Sequence, residues 1–318
     1  MAGTLSRAAL EAAHCWEKDD LVPHQPALTE FRRMLRYHQA RWRQANGHPI
    51  GTQPIRPAPG RPPQRPVGSR LPLDHAVETG ANFLTAPALD AARTRTSYIE
   101  RHQSFDHQRL WADLLSSVTM SFNLFGDLAV DPRMADRAVH QWWPDAPGTV
   151  TEVCFAHSPG RLDRSYLGNL VDVDIACVLD LDDGSRGIVG VVAAYHDVNR
   201  RQAPKPERLP RYVEVSERAG VFRPGWLDAV NGTDLIHVWL RHMLLHSMLQ
   251  HGDGDWGWCR LVVVHPSGNT NWADVCSRYH ALLGDDSSFA SVTIEELLST
   301  DVLPAATRTG FRDRYLPD

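Results

Sequence analysis

Two apolar runs separated by a short polar turn dominate the middle of the chain. Val173 to Leu181 is apolar and β-branched apart from Asp174 and Asp180, Asp182-Asp183-Gly184 is a turn signal, and Gly187 to Tyr195 is a second apolar run. The pattern predicts two adjacent antiparallel strands in a central sheet. Upstream, Thr149 to Ala156 predicts a first strand. Arg109 to Phe125 carries Leu110, Leu114, Val118 and Phe122 near helical spacing, which predicts one helix with Gly126 as its stop and Asn123 bonding locally at its end. Downstream, Leu235, Val238, Met243, Leu245, Met248 and Leu249 make most of a helix apolar, so it should pack on the sheet through Trp239 and Met243. Cys259 to His265 predicts a fourth strand, and Asn271 to Leu283 and Val292 to Leu298 predict closing helices.

The ends of the chain read differently. Residues 1 to 46 hold short helical patterns, with Leu28, Phe31, Leu35 and Trp42 on one face among several arginines. From Gly47 to Pro72 the composition is dominated by Pro, Gly and Arg, which predicts an extended linker. The expected division is an N-terminal helical appendage over 1–46, a linker over 47–72 and a main domain over 73–318. A length of 318 residues suffices for a sizeable core. No run approaches the roughly 18 apolar residues of a membrane span, and the N-terminus lacks the apolar segment of a signal peptide, so a soluble, cytoplasmic protein with no membrane partner is expected.

Composition narrows the chemistry. The five cysteines are odd in number and widely scattered, which argues for packing residues rather than a disulfide framework or a zinc site. A formal net charge of −5 makes no global electrostatic case for nucleic acid. Cations are almost all arginine, with Lys18 and Lys205 the only lysines. The absence of a Walker loop, a GxGxxG fingerprint and a GxSxG elbow removes the common nucleotide-binding and hydrolase readings.

Three motifs stand together: LLSS with FNLFG over Leu114 to Gly126, SPGR over Ser158 to Arg161 followed by Tyr166-Leu167-Gly168, and Gly190 to Asp197, GVVAAYHD. In combination they resemble a bacterial, restriction-endonuclease-like branch of the PD-(D/E)xK nuclease superfamily, in which the last segment usually follows a pattern like G-x-E-x-K-Y-H-E. The resemblance implies an α/β fold with an αβββαβ core, a mixed central sheet and flanking helices. It implies that Asp174 is the retained Mg²⁺-ligating acid, while Val192 stands where the glutamate is expected and Ala194 where the lysine is expected. These three positions should share one cleft, and the replacements Val192→Glu and Ala194→Lys should be the changes best placed to restore cleavage. Arg161 and Arg164 are candidates for holding a phosphate, and a polar residue of the helix carrying Arg241, His242 and His246 could reach the site from the far side.

Two functions follow as expectations. One is a catalytically inactive nuclease-like protein that binds DNA or another protein. The alternative is an active Mg²⁺-dependent DNA endonuclease with a rearranged site, using Asp174 with Asp172, His196 or Asp197 as substitute ligands and Arg161 or Lys205 for charge stabilisation.

Overall fold

Five strands form one mixed sheet in the computed structural model, which describes residues 5–15, 30–53 and 65–317. They are β1 (Thr149–His157), β2 (Val173–Asp180), β3 (Arg186–Ala193), β4 (Trp256–His265) and β5 (Phe289–Thr293), hydrogen-bonded in that order. The β1–β2 and β2–β3 pairs are antiparallel, and β3–β4 and β4–β5 are parallel. Short connections suffice for the antiparallel pairs, whereas a parallel neighbour requires a crossover. The β3–β4 crossover carries the helices Leu209–Ala219, Trp226–Val230 and Ile236–Leu249, and the β4–β5 crossover carries Thr270–Ala281. Between β2 and β3 the chain turns where the sequence predicts. Gly184 has φ 83°, and Asp183 accepts from the Ser185 N–H and hydroxyl.

Strict alternation along β3 divides the core in two. Val189, Val191, Ala193 and Tyr195 join Phe122, Phe125 and Leu110 on the front face, under the helix Ser117–Val130. Ile188, Val192 and Ala194 join Trp239, Met243 and Leu245 on the back face, under the helix Ile236–Leu249. A Cβ at Gly190 would lie 2.8 Å from Leu245 Cδ1, so the absence of a side chain there sets how closely the back helix approaches. The outer edge of β1 is partly closed by side chains. Asp136 accepts the Val150 N–H at 2.9 Å, and Arg95 Nε donates to the Phe155 carbonyl at 2.7 Å.

Several expectations change. The single helix over Arg109 to Phe125 is two pieces, a π-helical turn Gln108–Ala112 and the helix Ser117–Val130, with Ser116 accepting from Thr119 N as the N-cap of the second. Gly126 does not stop it. It lies inside the helix, where its bare Cα lets the helix Ala86–Thr96 approach so closely that a Cβ would fall 2.5 Å from Ala88 Cα. Asn123 works at long range, accepting from Leu84 N and donating to Asn82 O and the Tyr315 hydroxyl. The stretch expected as a helix from Val292 begins instead as β5, and the helix Ile294–Ser299 follows through a Thr293–Glu296 capping box.

At the N-terminal end, the helix Glu30–Ala45 buries Leu35 in the front core and packs on the helix Ala305–Tyr315. Gln39 donates to the Tyr195 hydroxyl and to Arg314 O. Within the stretch expected as a linker, Gly51–Thr52 pairs with Pro66–Val67 and Leu71 is buried, while residues 54–64 and Lys18 lie outside the described residues. No helix among the described residues is long and apolar enough to cross a membrane.

Candidate functional site

Asp174 sits where β2 and β3 stop pairing. The last paired residues are Ile175 and Val191, and one step further the Asp174 carboxylate accepts the Ala193 N–H at 2.9 Å. Across β1, the pairs Phe155–Ile175 and His157–Val173 leave Ala156 opposite Asp174, and Ala156 has a left-handed φ of 49°. Such a conformation costs a non-glycine residue roughly 1 kcal/mol or more and persists only where the surroundings impose it. Here two buried guanidinium groups do so. Arg161 Nη2 donates to the Ala156 carbonyl at 2.9 Å and Arg95 Nη2 at 3.3 Å.

The same two arginines tie together the loops that border Asp174. Arg95 donates to Glu100 at 2.8 Å and to Gln103 Oε1 at 2.7 Å. Arg161 donates to the other oxygen of Glu100 and, at 3.1 Å, to Asp172 Oδ2. Two cations thus meet two carboxylates, and each charge in the network has a partner. Arg161 is therefore committed within the fold, whereas Arg164 is exposed and lines a groove of about 570 Å³ with Arg101, His102 and Leu162. Exposed apolar side chains gather nearby: Tyr98 and Ile99 precede Glu100, while Leu162 and Leu170 flank the opposing loop.

Beside Asp174 a cavity of about 200 Å³ opens between the sheet and the front helix, lined by Gln103, Phe105, Asp106, Arg109, Val118, Ser121, Phe122, Asp172 and Asp174 among others. Burial raises the Asp174 carboxyl to about 6; the Arg241 guanidinium opposes this, Asp172 adds to it, and the Ala193 N–H and Arg109 oppose it. Arg241, on the back helix, thus acts on Asp174 from the far side of the sheet.

Val192 and Ala194 are 2 % and 1 % exposed, belong to the back cluster, and line no part of the cavity that contains Asp174. The cleft expected to unite the three positions is not formed, because beyond Ile175 and Val191 the Asp174 side chain turns to the front while Val192 and Ala194 keep the back-face phase of β3. His196 and Asp197 lie just past the strand, where Asp197 accepts from the Ser117 hydroxyl and pairs with Arg109 at 3.4 Å. Burial would raise the Asp197 carboxyl, but His196, Arg109 and the Ser117 hydroxyl outweigh it and hold it low. His196 is pushed down to about 4, chiefly by burial. Lys205 is exposed and lines neither the cavity nor the groove.

His242 and His246 form a core network with the Tyr279 hydroxyl at 3.0 Å and Ser288 Oγ at 3.1 Å. Burial lowers both imidazoles and so favours the neutral ring.

The donor set does not fit Mg²⁺. The ion takes near-octahedral oxygen ligands. Among the described residues, no three His, Cys, Asp or Glu side chains gather closely enough to hold a metal, although Asp106, Asp172 and Asp174 all line the cavity. One Asp172 oxygen is already occupied by Arg161, and two guanidinium charges act on Asp174.

Gln103, Glu100 and Arg109 escaped the sequence reading. Glu100 and Gln103 come from an irregular stretch without periodicity that the salt-bridged clamp around Ala156 ties to the sheet, and Arg109 opens a run whose spacing signals only packing. No curated protein and no solved structure matches the chain. A family model does, over residues 26–317, which takes in the helix Glu30–Ala45, the five strands of the main sheet and the helix Ala305–Tyr315, so the chain belongs to the PD-(D/E)XK nuclease superfamily.

Proposed function

We propose that this member of the superfamily is catalytically inactive and binds nucleic acid at the cavity beside Asp174 and the adjoining arginine-bearing groove. One observation carries the reading. Beyond Gly190, β3 and the residues after it present Val191, Ala193 and Tyr195 to the front and Val192 and Ala194 to the back. Neither face offers the carboxylate and lysine that would complete a metal site and stabilise charge on a phosphate. Binding needs less. Arg101 and Arg164 are exposed around the groove, available to a phosphate backbone, Arg109 at the cavity is exposed while paired with Asp197, and Tyr98 and Ile99 supply apolar surface for unstacked bases.

The test is a cleavage assay on supercoiled and linear DNA with Mg²⁺ and with Mn²⁺, beside an Asp174→Ala control, together with binding of labelled single- and double-stranded DNA. The expected result is salt-sensitive binding without metal-dependent cutting. Robust cutting that the control abolishes would establish instead an active, Mg²⁺-dependent endonuclease with a site rearranged around Asp174. Binding to a protein and to no nucleic acid would leave the inactive reading and replace the ligand.

A further inference from the structure

The cavity beside Asp174 is too small for a strand and of a size for one base. Its volume of about 200 Å³ falls below the ~300–1,000 Å³ typical of sites for drug-sized ligands, which leaves room for a planar fragment of one or two rings. Phe105, Val118 and Phe122 provide apolar walls for ring faces. The polar groups supply a pattern. Asp174 Oδ2 is used by the Ala193 N–H and Asp172 Oδ2 by Arg161, so each carboxylate keeps one oxygen with no bond to another described residue. Gln103 has its orientation set, because Oε1 accepts from Arg95 and from the Glu100 N–H, which leaves the Nε2 amide as an unused donor.

A base that suits this lining must offer donors to the carboxylates and an acceptor to the amide. Guanine has two adjacent donors, N1–H and the N2 amino group, next to the O6 acceptor. Adenine and cytosine place an acceptor beside their single amino group, and uracil and thymine place acceptors on both sides of one N–H. We propose that this cavity binds a single unpaired guanine base, read by the free oxygens of Asp174 and Asp172 and by Gln103 Nε2, with Arg109 at the wall to meet its phosphate. This deepens the nucleic-acid reading above and rests on it. A flipped or terminal base would fill the space beside the acid that the superfamily otherwise uses for cleavage.

Asp174→Asn discriminates sharply. The asparagine keeps an oxygen for the Ala193 N–H and turns an amino group into the cavity, so it repels the donor edge of guanine and suits xanthine, which carries a carbonyl at C2. Titrating the full chain with guanosine, adenosine, cytidine, uridine and xanthosine by ligand-observed NMR or calorimetry should show guanosine bound at least tenfold more tightly than the other three common nucleosides. In the Asp174→Asn protein guanosine affinity should fall at least tenfold and xanthosine affinity should rise. Equal affinity for all nucleosides, no nucleoside binding, or unchanged guanosine binding by the variant would overturn the assignment. Fluorescence anisotropy with labelled single-stranded DNA separates the two levels: DNA binding without a guanosine preference sinks the base site alone, and guanosine binding without DNA binding keeps the site and sinks the nucleic-acid reading.

Discussion

Replacing Asp174 by asparagine should stabilise the protein above pH 6 and leave it unchanged near pH 4. Burial and the neighbouring Asp172 raise this carboxyl from 3.8 to about 6 despite the Arg241 and Arg109 charges and the Ala193 N–H. That rise corresponds to a penalty of about 3 kcal/mol for ionising the group in the folded state relative to the unfolded chain. The sign follows from proton binding. Well below pH 3.8 the group is protonated in both states and contributes no penalty. Between about pH 4 and 6 the unfolded chain releases the proton while the folded protein retains it, so stability falls as pH rises; above 6 the full penalty applies. Asparagine carries no charge at any pH and keeps an acceptor for the Ala193 N–H, so the variant escapes the penalty. Urea denaturation of both proteins from pH 4 to 8, in the presence of a chelator, yields a difference curve that reports Asp174 together with its coupling to Asp172, Arg241 and Arg109 and cancels titrating groups remote from it. The expected curve is near zero at pH 4 and climbs to about 2–3 kcal/mol in favour of asparagine at pH 8. A flat difference, or a variant less stable at pH 8, would refute the placement of this carboxyl in a desolvated pocket.

Arg161→Met removes donors from Glu100, Asp172 and the Ala156 carbonyl at once; because those carboxylates are 33 % and 35 % exposed, the loss should be about 2–3 kcal/mol rather than the ~3–5 kcal/mol of a fully buried pair, read by urea denaturation. Gly126→Ala should lower stability by about 1–3 kcal/mol despite the better helix propensity of alanine, since the new Cβ meets the backbone of Ala88; a higher melting temperature would show that the two helices can separate freely. Val192→Glu should cost at least about 3 kcal/mol by burying an unpaired carboxylate in the back cluster, and together with Ala194→Lys it should produce no metal-dependent cleavage, the reverse of what the motif alone suggests; cleavage by the double variant would place residue 192 at the front.

Strands β1 to β4, the turn at Gly184 and the back helix were legible in the sequence because each depends on local periodicity. Alternating or continuous apolar runs specify a strand or a helix whatever surrounds them, and the runs over 173–181 and 187–195 appear as β2 and β3 to within one or two residues. The superfamily too was legible, since the family model matches over residues 26–317. Elements whose reason is remote were not legible. Gly126 reads as a helix stop until Ala88 is seen against it, Asn123 as a local cap until Leu84 and Tyr315 reach it, and Val292 and Thr293 as the start of a helix until β4 pairs with them in β5. The site itself is the sharpest case. A two-residue spacing puts Val192 and Ala194 on one face, but which face, and whether Asp174 shares it, depends on where pairing between β2 and β3 ends. Opposite that end, on β1, stands Ala156 in its left-handed conformation, held by Arg95 and Arg161. Arg161 reaches Ala156 and Asp172 locally, but the contacts of Arg95 with the Ala156 carbonyl and of Arg161 with Glu100 join residues 61 positions apart, so no window of sequence contains them, and only closure of the tertiary structure brings those charges into reach of one another.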